Sequence, residues 1–332
     1  MNLKGWIERD GRRLSPTGVE RMLREEPEAL SRCGGEFLLE WDDSIARDAF
    51  GIMPGPIPPG TIYSGEHEIA RITPDPAPCT LDEAIVAAVR LRSNEGVVAF
   101  SGGVDSALIA ALAGLPCVAV GLRGSHDVVW AEKAAGMMGL DLEIVIPTEE
   151  EVAEALTRIV RVIPDPENPV EASIATTLSF VAAWAEEHGH TRILGGQGAD
   201  ELFGGYARYL SSTDLAAELE RDFADHDRQR TRDQAVAALH GRYFSMPYLD
   251  IRVVRAARSI PAADRVRGGV RKYPLREVAE RHIPAEIARA EKKAMQYGSG
   301  IWRTIQRLAR NNGYKKSVQG YLMEISRAEH DN

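Results

Sequence analysis

From Thr80 onward, short continuous apolar runs alternate with longer amphipathic ones. "TLDEAIVAAVRLR" opens on Thr80 and carries Glu83 three residues later, a capping box ahead of a helix. "GVVAF" follows, apolar and β-branched, then two glycines, then the helical "VDSALIAALAG". The succession recurs as "PCVAVGL" with "DVVWAEKAAGMMG", and as "DLEIVI" with "TEEEVAEALTRIV", where Thr148 and Glu151 form another capping box. A longer helical segment, "SIATTLSFVAAWAEEHG", leads into "TRILGG". Strands that read as continuous apolar runs rather than alternating ones, interleaved with helices, predict an α/β fold with a doubly wound parallel sheet covered on both faces. Ligands of such sheets bind beyond the carboxyl ends of the strands, so "FSGGVDS", "GLRGSHD" and "GGQGADE" are expected to face one crevice. From about Asp214 onward the pattern reads as mostly helical and charged.

Two proline-rich stretches, "PGPIPPG" and "TPDPAP", interrupt regular structure around residues 54–80. They predict a boundary between a small amino-terminal β unit, residues 1–77, and a main domain, residues 78–332. A length of 332 residues leaves room for both. No apolar run is long enough to span a bilayer and the amino terminus has no apolar signal core, so a cytoplasmic protein without a membrane partner is expected. The net charge of −9 disfavours nucleic acid as a partner, yet the charge is uneven. Arg252, Arg255, Arg258, Arg265, Arg267, Arg271, Lys272 and Arg276 stand in one stretch with Asp264 as its only acid. They read either as solvated helix faces or as cations for a polyphosphate. Cys33, Cys79 and Cys117 lie far apart and form no C-x-x-C pair, which reads as buried structural thiols. The histidines show no metal-ligand spacing, and none is assigned a metal.

Two motifs carry chemistry. In "SGGVDS", Ser101 to Ser106, a strand ends, Gly102 and Gly103 turn the chain, and a helix begins near Asp105. Free N–H groups, a positive helix terminus and two hydroxyls make an anion site, and no Walker-type G-x-x-x-x-G-K-S/T exists elsewhere in the chain. "LGGQGADELFGGY", Leu194 to Tyr206, combines glycines with Asp200 and Glu201 and places a neutral Gln197 among them.

The full S-G-G-x-D-S resembles the pyrophosphate-binding loop of the ATP pyrophosphatases, which cleave ATP between its α and β phosphates. "GGQGADELFGGY" selects among them: it resembles the asparagine synthetase loop, usually S-G-E-G-A/S-D-E-L/V-F-G-G-Y. "VAVGLRGSHD", "RTRDQAVAALHGRYFSMPYLD" and "VRKYPLREVAERHIPAEIARAEKKAMQYGSG" resemble further segments of that family in the same order. The resemblance covers about residues 78 to 310 and implies an adenine nucleotide alpha-hydrolase-like sheet with a helical carboxyl-terminal part. It implies ATP and Mg²⁺ as cofactors, with Asp105 and Asp200 as magnesium ligands. Ala99, Val120, Gly195 and Gly196 would line the nucleotide pocket beside Ser101, Gly102, Gly103 and Ser106. Lys272 takes the position of the family's catalytic lysine, Lys292 that of a second lysine, and Glu201 would hold the loop in place.

The amino-terminal part departs from the family. Members that use glutamine begin with a class II glutaminase domain whose nucleophile is a cysteine at position 2, where this chain has Asn2. "GEFLLEWDDSIARDAFGIMPG" echoes that domain in shortened form, which predicts a remnant without glutaminase activity. Cys33 shows no base partner and is not expected to replace the nucleophile. The implied function is an AMP-forming ligase that adenylates a small-molecule carboxylate and joins it to ammonia or an amine. The nitrogen source is open among free ammonia, a separate glutaminase subunit and an amine on the substrate, and a homodimer is open as well. Gln197 stands where the family has a glutamate and β-lactam synthetases a tyrosine; it orients through hydrogen bonds but accepts no proton at neutral pH. A tRNA-modifying ATP pyrophosphatase and a nucleotide-binding regulatory homologue are the alternatives.

Overall fold

The computed structural model describes residues 1–291, 298–315 and 317–327; Lys292 lies outside them. The chain opens with strands β1 (Asn2–Arg9) and β2 (Arg12–Arg13), helix α1 (Pro16–Glu25), then β3 (Gly34–Trp41), β4 (Ser44–Arg47), β5 (Thr61–Ser64) and β6 (His67–Arg71). Helix α2 (Leu81–Arg90) starts from the capping box of Thr80 and Glu83, both halves of which are formed. Strand and helix then alternate: β7 (Val97–Ala99), α3 (Val104–Ala113), β8 (Cys117–Val120), α4 (His126–Met138), β9 (Leu142–Val145), α5 (Glu149–Ile159), α6 (Pro169–Glu187) and β10 (Arg192–Leu194). Helix α6 starts four residues before the segment singled out in the sequence. Asn168 caps it by accepting from Val170 N, and Pro169 occupies the first turn, where its missing N–H costs nothing. After β10 come α7 (Ala199–Phe203), α8 (Leu215–Ala224), α9 (His226–Ala238), β11 (Tyr243–Ser245) and α10 (Ile251–Ser259), followed by shorter helices.

Contacts divide the chain into two compact units. One comprises residues Glu95–Gly196, Ala224–Phe244 and Tyr273–Asn332. Its sheet has the order β11-β10-β7-β8-β9, with β10, β7, β8 and β9 paired in parallel. The expected doubly wound parallel sheet is therefore present. Val97, Val98, Val118, Ile193 and Leu194 are fully buried in it, which explains why these strands read as unbroken apolar runs. Strand β11 falls in a stretch read from sequence as mostly helical. Its three residues are too few to show a period, and only pairing at the sheet edge makes them a strand.

The other unit comprises Met1–Asn94, Gln197–Phe223 and Ser245–Lys272. Its sheet runs β2-β1-β3-β4-β5-β6 with antiparallel neighbours. Val19, Leu30, Phe37, Leu39 and Ile62 pack together on it. The first proline-rich stretch is fastened to the sheet. Arg47 donates to the carbonyls of Gly51, Met53 and Ile57, and the Asp48 carboxylate accepts from the amides of Phe37, Phe50, Ile52 and Met53.

A buried chain of charges runs through this unit. The Glu36 carboxylate accepts from Arg92 Nε at 2.7 Å, Ser245 Oγ at 2.6 Å, Met246 N at 3.0 Å and Trp6 Nε1 at 3.2 Å. Arg92 Nη1 continues to Asp250 Oδ2 at 3.0 Å. Burial alone would push Glu36 toward its neutral form, but Arg92 and the Ser245 and Met246 donors outweigh it and hold its pKa below the ordinary 4.5. No helix among the described residues is long and apolar enough to cross a membrane.

Because the folded pKa of Glu36 is depressed, its stabilisation is complete above the ordinary value and is lost as pH falls through the folded one. Acid unfolding followed through tryptophan fluorescence should therefore steepen below pH 4.5, and Glu36→Gln should flatten that limb. At neutral pH the same variant should lose on the order of 1–3 kcal/mol, since a neutral amide leaves the buried Arg92 charge to Asp250 alone. An acid limb identical in the two proteins would refute the assignment.

Candidate functional site

The residues singled out by sequence gather in two groups, one in each unit. In the parallel-sheet unit, Ala99, Val120 and Leu194 end three strands lying side by side in the order β10-β7-β8. Gly195 and Gly196 continue β10, while Phe100 and Ser101 continue β7. Gly102 turns the chain with φ +70°, and the indole of Trp130 donates to its carbonyl at 2.9 Å. A Cβ on Gly102 would stand 2.7 Å from that indole, so the turn has room for glycine alone. Helix α3 follows with Gly103 as its N-cap and no side-chain cap on its first amides.

Ser106 latches this turn from inside the helix. Its hydroxyl donates to the Gly103 carbonyl at 3.2 Å and accepts from Ser101 N at 3.1 Å, and the two serine oxygens lie 3.0 Å apart. Ser106 is buried and Ser101 half-buried. Asp105 sits half-buried in the first turn of α3, where the helix dipole favours a carboxylate. A Cβ on Gly196 would come within 3.0 Å of Asp105 Cβ, so the second glycine lets β10 pass close to this turn. The whole is an anion cradle at the carboxyl edge of a parallel sheet.

In the other unit, Gly198 (φ +87°) starts the short helix α7, which carries Asp200 and Glu201. Lys272 Nζ lies 2.7 Å from Asp200 Oδ1, with the lysine side chain 9% and the aspartate 44% exposed. Lys272 is a non-glycine residue in the left-handed region, at φ +56°. Such a backbone is held only where surrounding structure over-determines it, and it aims the ammonium at Asp200. Gly205 lies against both side chains: a Cβ there would fall 1.7 Å from Asp200 Oδ1 and 2.3 Å from Lys272 Cε. Glu201 is buried and accepts a short hydrogen bond from the Tyr206 hydroxyl, so it braces the loop. The carbonyl of Gly205 accepts from Arg271 and that of Leu202 from Arg265. Gln197 precedes the turn, half-buried, with its side-chain oxygen buried.

The basic stretch has internal partners. Arg252 pairs with Glu8 and Asp250, Arg255 with Asp75 and Arg258 with Glu220. Arg265, Arg271 and Arg276 donate to backbone carbonyls. Arg252, Arg265, Arg271 and Arg276 are buried or half-buried and hold the fold, whereas Arg255 and Arg258 are exposed and fit the reading as a solvated helix face. Lys272 differs, since its partner is an acid of the glycine loop.

Sequence reasoning missed Trp130, whose indole fixes Gly102, and the Glu36–Arg92–Asp250 chain. Trp130 carried no signal, because a tryptophan in an amphipathic helix reads as core. Glu36 left a faint one, an acid spaced by two from Leu38 on a strand of mostly buried residues. Among the described residues no three or more His, Cys, Asp or Glu side chains gather as a metal cage. Mg²⁺ takes one or two carboxylates and draws its other ligands from phosphates and water, and Asp105 in one unit and Asp200 in the other are each of that donor type.

The sequence profile of the family described as Asparagine synthase matches residues 80–235 and 221–322. A protein of Methanocaldococcus jannaschii described as a candidate glutamine-hydrolyzing asparagine synthetase is 32% identical over 291 residues, covering 74% of this chain and 53% of that protein. The carboxyethyl-arginine beta-lactam-synthase of Streptomyces clavuligerus is 30% identical over 256 residues, 73% of this chain and 49% of its own. Asparagine synthetase B (glutamine-hydrolyzing) of Escherichia coli is 26% identical over 229 residues, 61% of this chain and 41% of its own. The chain spans about half the length of these curated relatives. A profile running through both the anion cradle and the Asp200–Lys272 pair leaves one reading of its descent: the chain belongs to the asparagine synthase family.

Proposed function

We propose that this protein is an ATP-dependent, AMP-forming ligase that converts a carboxylate into an amide. The observation that carries the reading is the latched Ser101–Ser106 turn at the carboxyl edge of a parallel sheet, in a chain of this family. Its amides at the start of α3 and the Ser101 hydroxyl would receive the pyrophosphate end of ATP. Ala99, Val120, Gly195 and Gly196, at the ends of the strands, would line the rest of the nucleotide. Asp105 and Asp200 would hold Mg²⁺, which would neutralise charge on the phosphates.

A carboxylate oxygen of the acceptor attacks the α-phosphorus, the bond to the bridging oxygen breaks, and pyrophosphate leaves. Lys272 would meet the charge that builds on the leaving group, having been brought by its left-handed backbone to the acid loop. An amine nitrogen then attacks the acyl carbon, AMP departs, and the nitrogen loses a proton. Gln197 would orient the amine through its side-chain amide. Since it accepts no proton at neutral pH, that proton passes to water or to a basic group on the substrate.

Glutamine hydrolysis is not part of the proposal. The Cys33 thiol is fully buried, and burial pushes its pKa up to about 11. Its sulfur faces Met22 Sδ and the Ala29 carbonyl, with no base beside it among the described contacts. The nitrogen source is then ammonia, an amine of the substrate or a partner glutaminase.

ATP, Mg²⁺, aspartate and ammonium should yield AMP and pyrophosphate in equal amounts. If aspartate fails, a panel of amino acids and carboxylates that carry their own amine should reveal the substrate. Absence of AMP with every acid across the pH range would reject the ligase. Lys272→Ala should slow pyrophosphate release by on the order of 10²–10³-fold, as removal of one transition-state donor does. Gly205→Ala should keep the fold to within about 1 kcal/mol, since its Cβ displaces flexible side-chain ends, and yet lose activity. Acylation of the Lys272 amine, read by mass spectrometry, should rise in that variant; unchanged labelling with unchanged activity would count against the arrangement. Glutamine alone should release no glutamate.

A further inference from the structure

We infer that Glu36, in the amino-terminal sheet, is a positioning residue for the loop that carries Gln197 and Asp200; the catalytic half of the inference rests on the ligase reading above. The links are short and lie within one unit. Glu36 Oε2 takes the Ser245 hydroxyl and Oε1 the Met246 amide, which sets where the backbone of residues 245–246 runs. Arg92, held by Glu36, grips Asp250, and Asp250 caps α10 by accepting from Arg252 N. Arg252 in turn pairs with Glu8 of β1 at 2.7 Å. Two acids of the amino-terminal sheet, Glu8 and Glu36, thus fasten both ends of the stretch Ser245–Arg252.

That stretch is the bed of the acid loop. Tyr248 meets the Phe203 ring edge-on, with centroids 6.1 Å apart. Leu249 lies under Gly198, where a Cβ would come within 2.7 Å of its Cδ2. Phe203 and Gly198 bracket α7, so the two contacts fix both ends of the helix that presents Asp200 to Lys272. Tyr248, Leu249 and Phe203 are at most 2% exposed and have no free volume to absorb a shift. A displacement of residues 245–246 is therefore passed to Gly198 and Asp200. The amino-terminal sheet then has a use that needs no nucleophile: its buried carboxylate holds the acid loop in register.

The test compares Glu36→Gln and Ser245→Ala with the wild-type full chain. Ser245→Ala deletes one hydroxyl and leaves the Glu36–Arg92 pair, so it remains informative if Glu36→Gln folds poorly. Relative to Phe100 and Cys117 in the parallel sheet, hydrogen exchange should quicken about tenfold at Leu202, Gly204 and Gly205, whose amides bond to the carbonyls of Gly198 and Asp200. The kcat per folded molecule should fall about 10-fold with the KM for ATP within about twofold, since misplacement affects chemistry more than nucleotide binding. Ser245→Ala should shift both readouts in the same direction by less. Unchanged exchange at residues 198–205, an equal quickening throughout the chain, or an unchanged kcat per folded molecule would each overturn the inference. Should the wild type form AMP with no acid, the ligase reading falls, and the exchange data alone decide whether Glu36 sets the loop.

Discussion

The unit that bears Asp200 and Lys272 depends on a carboxylate with no access to water. Glu36 is fully buried, as is Arg92 beside it, and Asp250 nearly so. A buried charge is tolerated only when each lone pair and proton finds a partner, and here each is supplied from a different part of the chain. Trp6 comes from β1, Arg92 from beyond α2, Ser245 and Met246 from the end of β11, and Asp250 from the cap of α10. Apolar packing alone would allow these pieces to slide against one another. A carboxylate with four directed donors does not, because any slip leaves charge unpaired in a medium of low dielectric.

Backbone conformations that most residues avoid are concentrated at the candidate site. Gly102 and Gly198 have positive φ where a helix begins, and Lys272 shares that region without the excuse of lacking a Cβ. Each is held from the side: Gly102 by Trp130, Gly198 by Leu249, and Lys272 by Asp200. The Ser101–Ser106 latch serves the same end, since it ties the turn together from within. Sites of this kind act through positioning, which suits phosphoryl chemistry, where alignment and charge stabilisation do most of the catalysis. Gln197 is the exception, a neutral amide beside two carboxylates of the glycine loop, and it accepts no proton at neutral pH.

The parallel sheet was legible because its central strands β7 and β8 are covered on both faces and carry no polar position, while β9 and β10 hold one charged residue each, Glu143 and Arg192. Val97–Ala99, Cys117–Val120 and Arg192–Leu194 each stand where a short apolar run ends at a glycine turn. The capping boxes at Thr80 and Thr148 were legible for a similar reason: both partners lie within four residues of one another. The start of α6 was misjudged because Pro169 reads as a breaker until Asn168 is seen to cap ahead of it. Arg252, Arg255 and Arg258 read as a loose run of cations because their acids, Glu8, Asp75 and Glu220, are remote in sequence.

By itself the sequence determined the alternation of strand and helix, the glycine turns, and the placing of Ser101, Asp105 and Asp200 on those turns. Local rules suffice there, since hydrophobic period, capping and φ preference act over a few residues. Only the tertiary structure decided that Trp130 fixes Gly102, that Lys272 reaches Asp200 across Gly205, and that Glu36 takes donors as far along the chain as Met246. Those contacts join residues up to 210 positions apart. They come from closing long loops and desolvating charge at one point in space, and no local pattern records that.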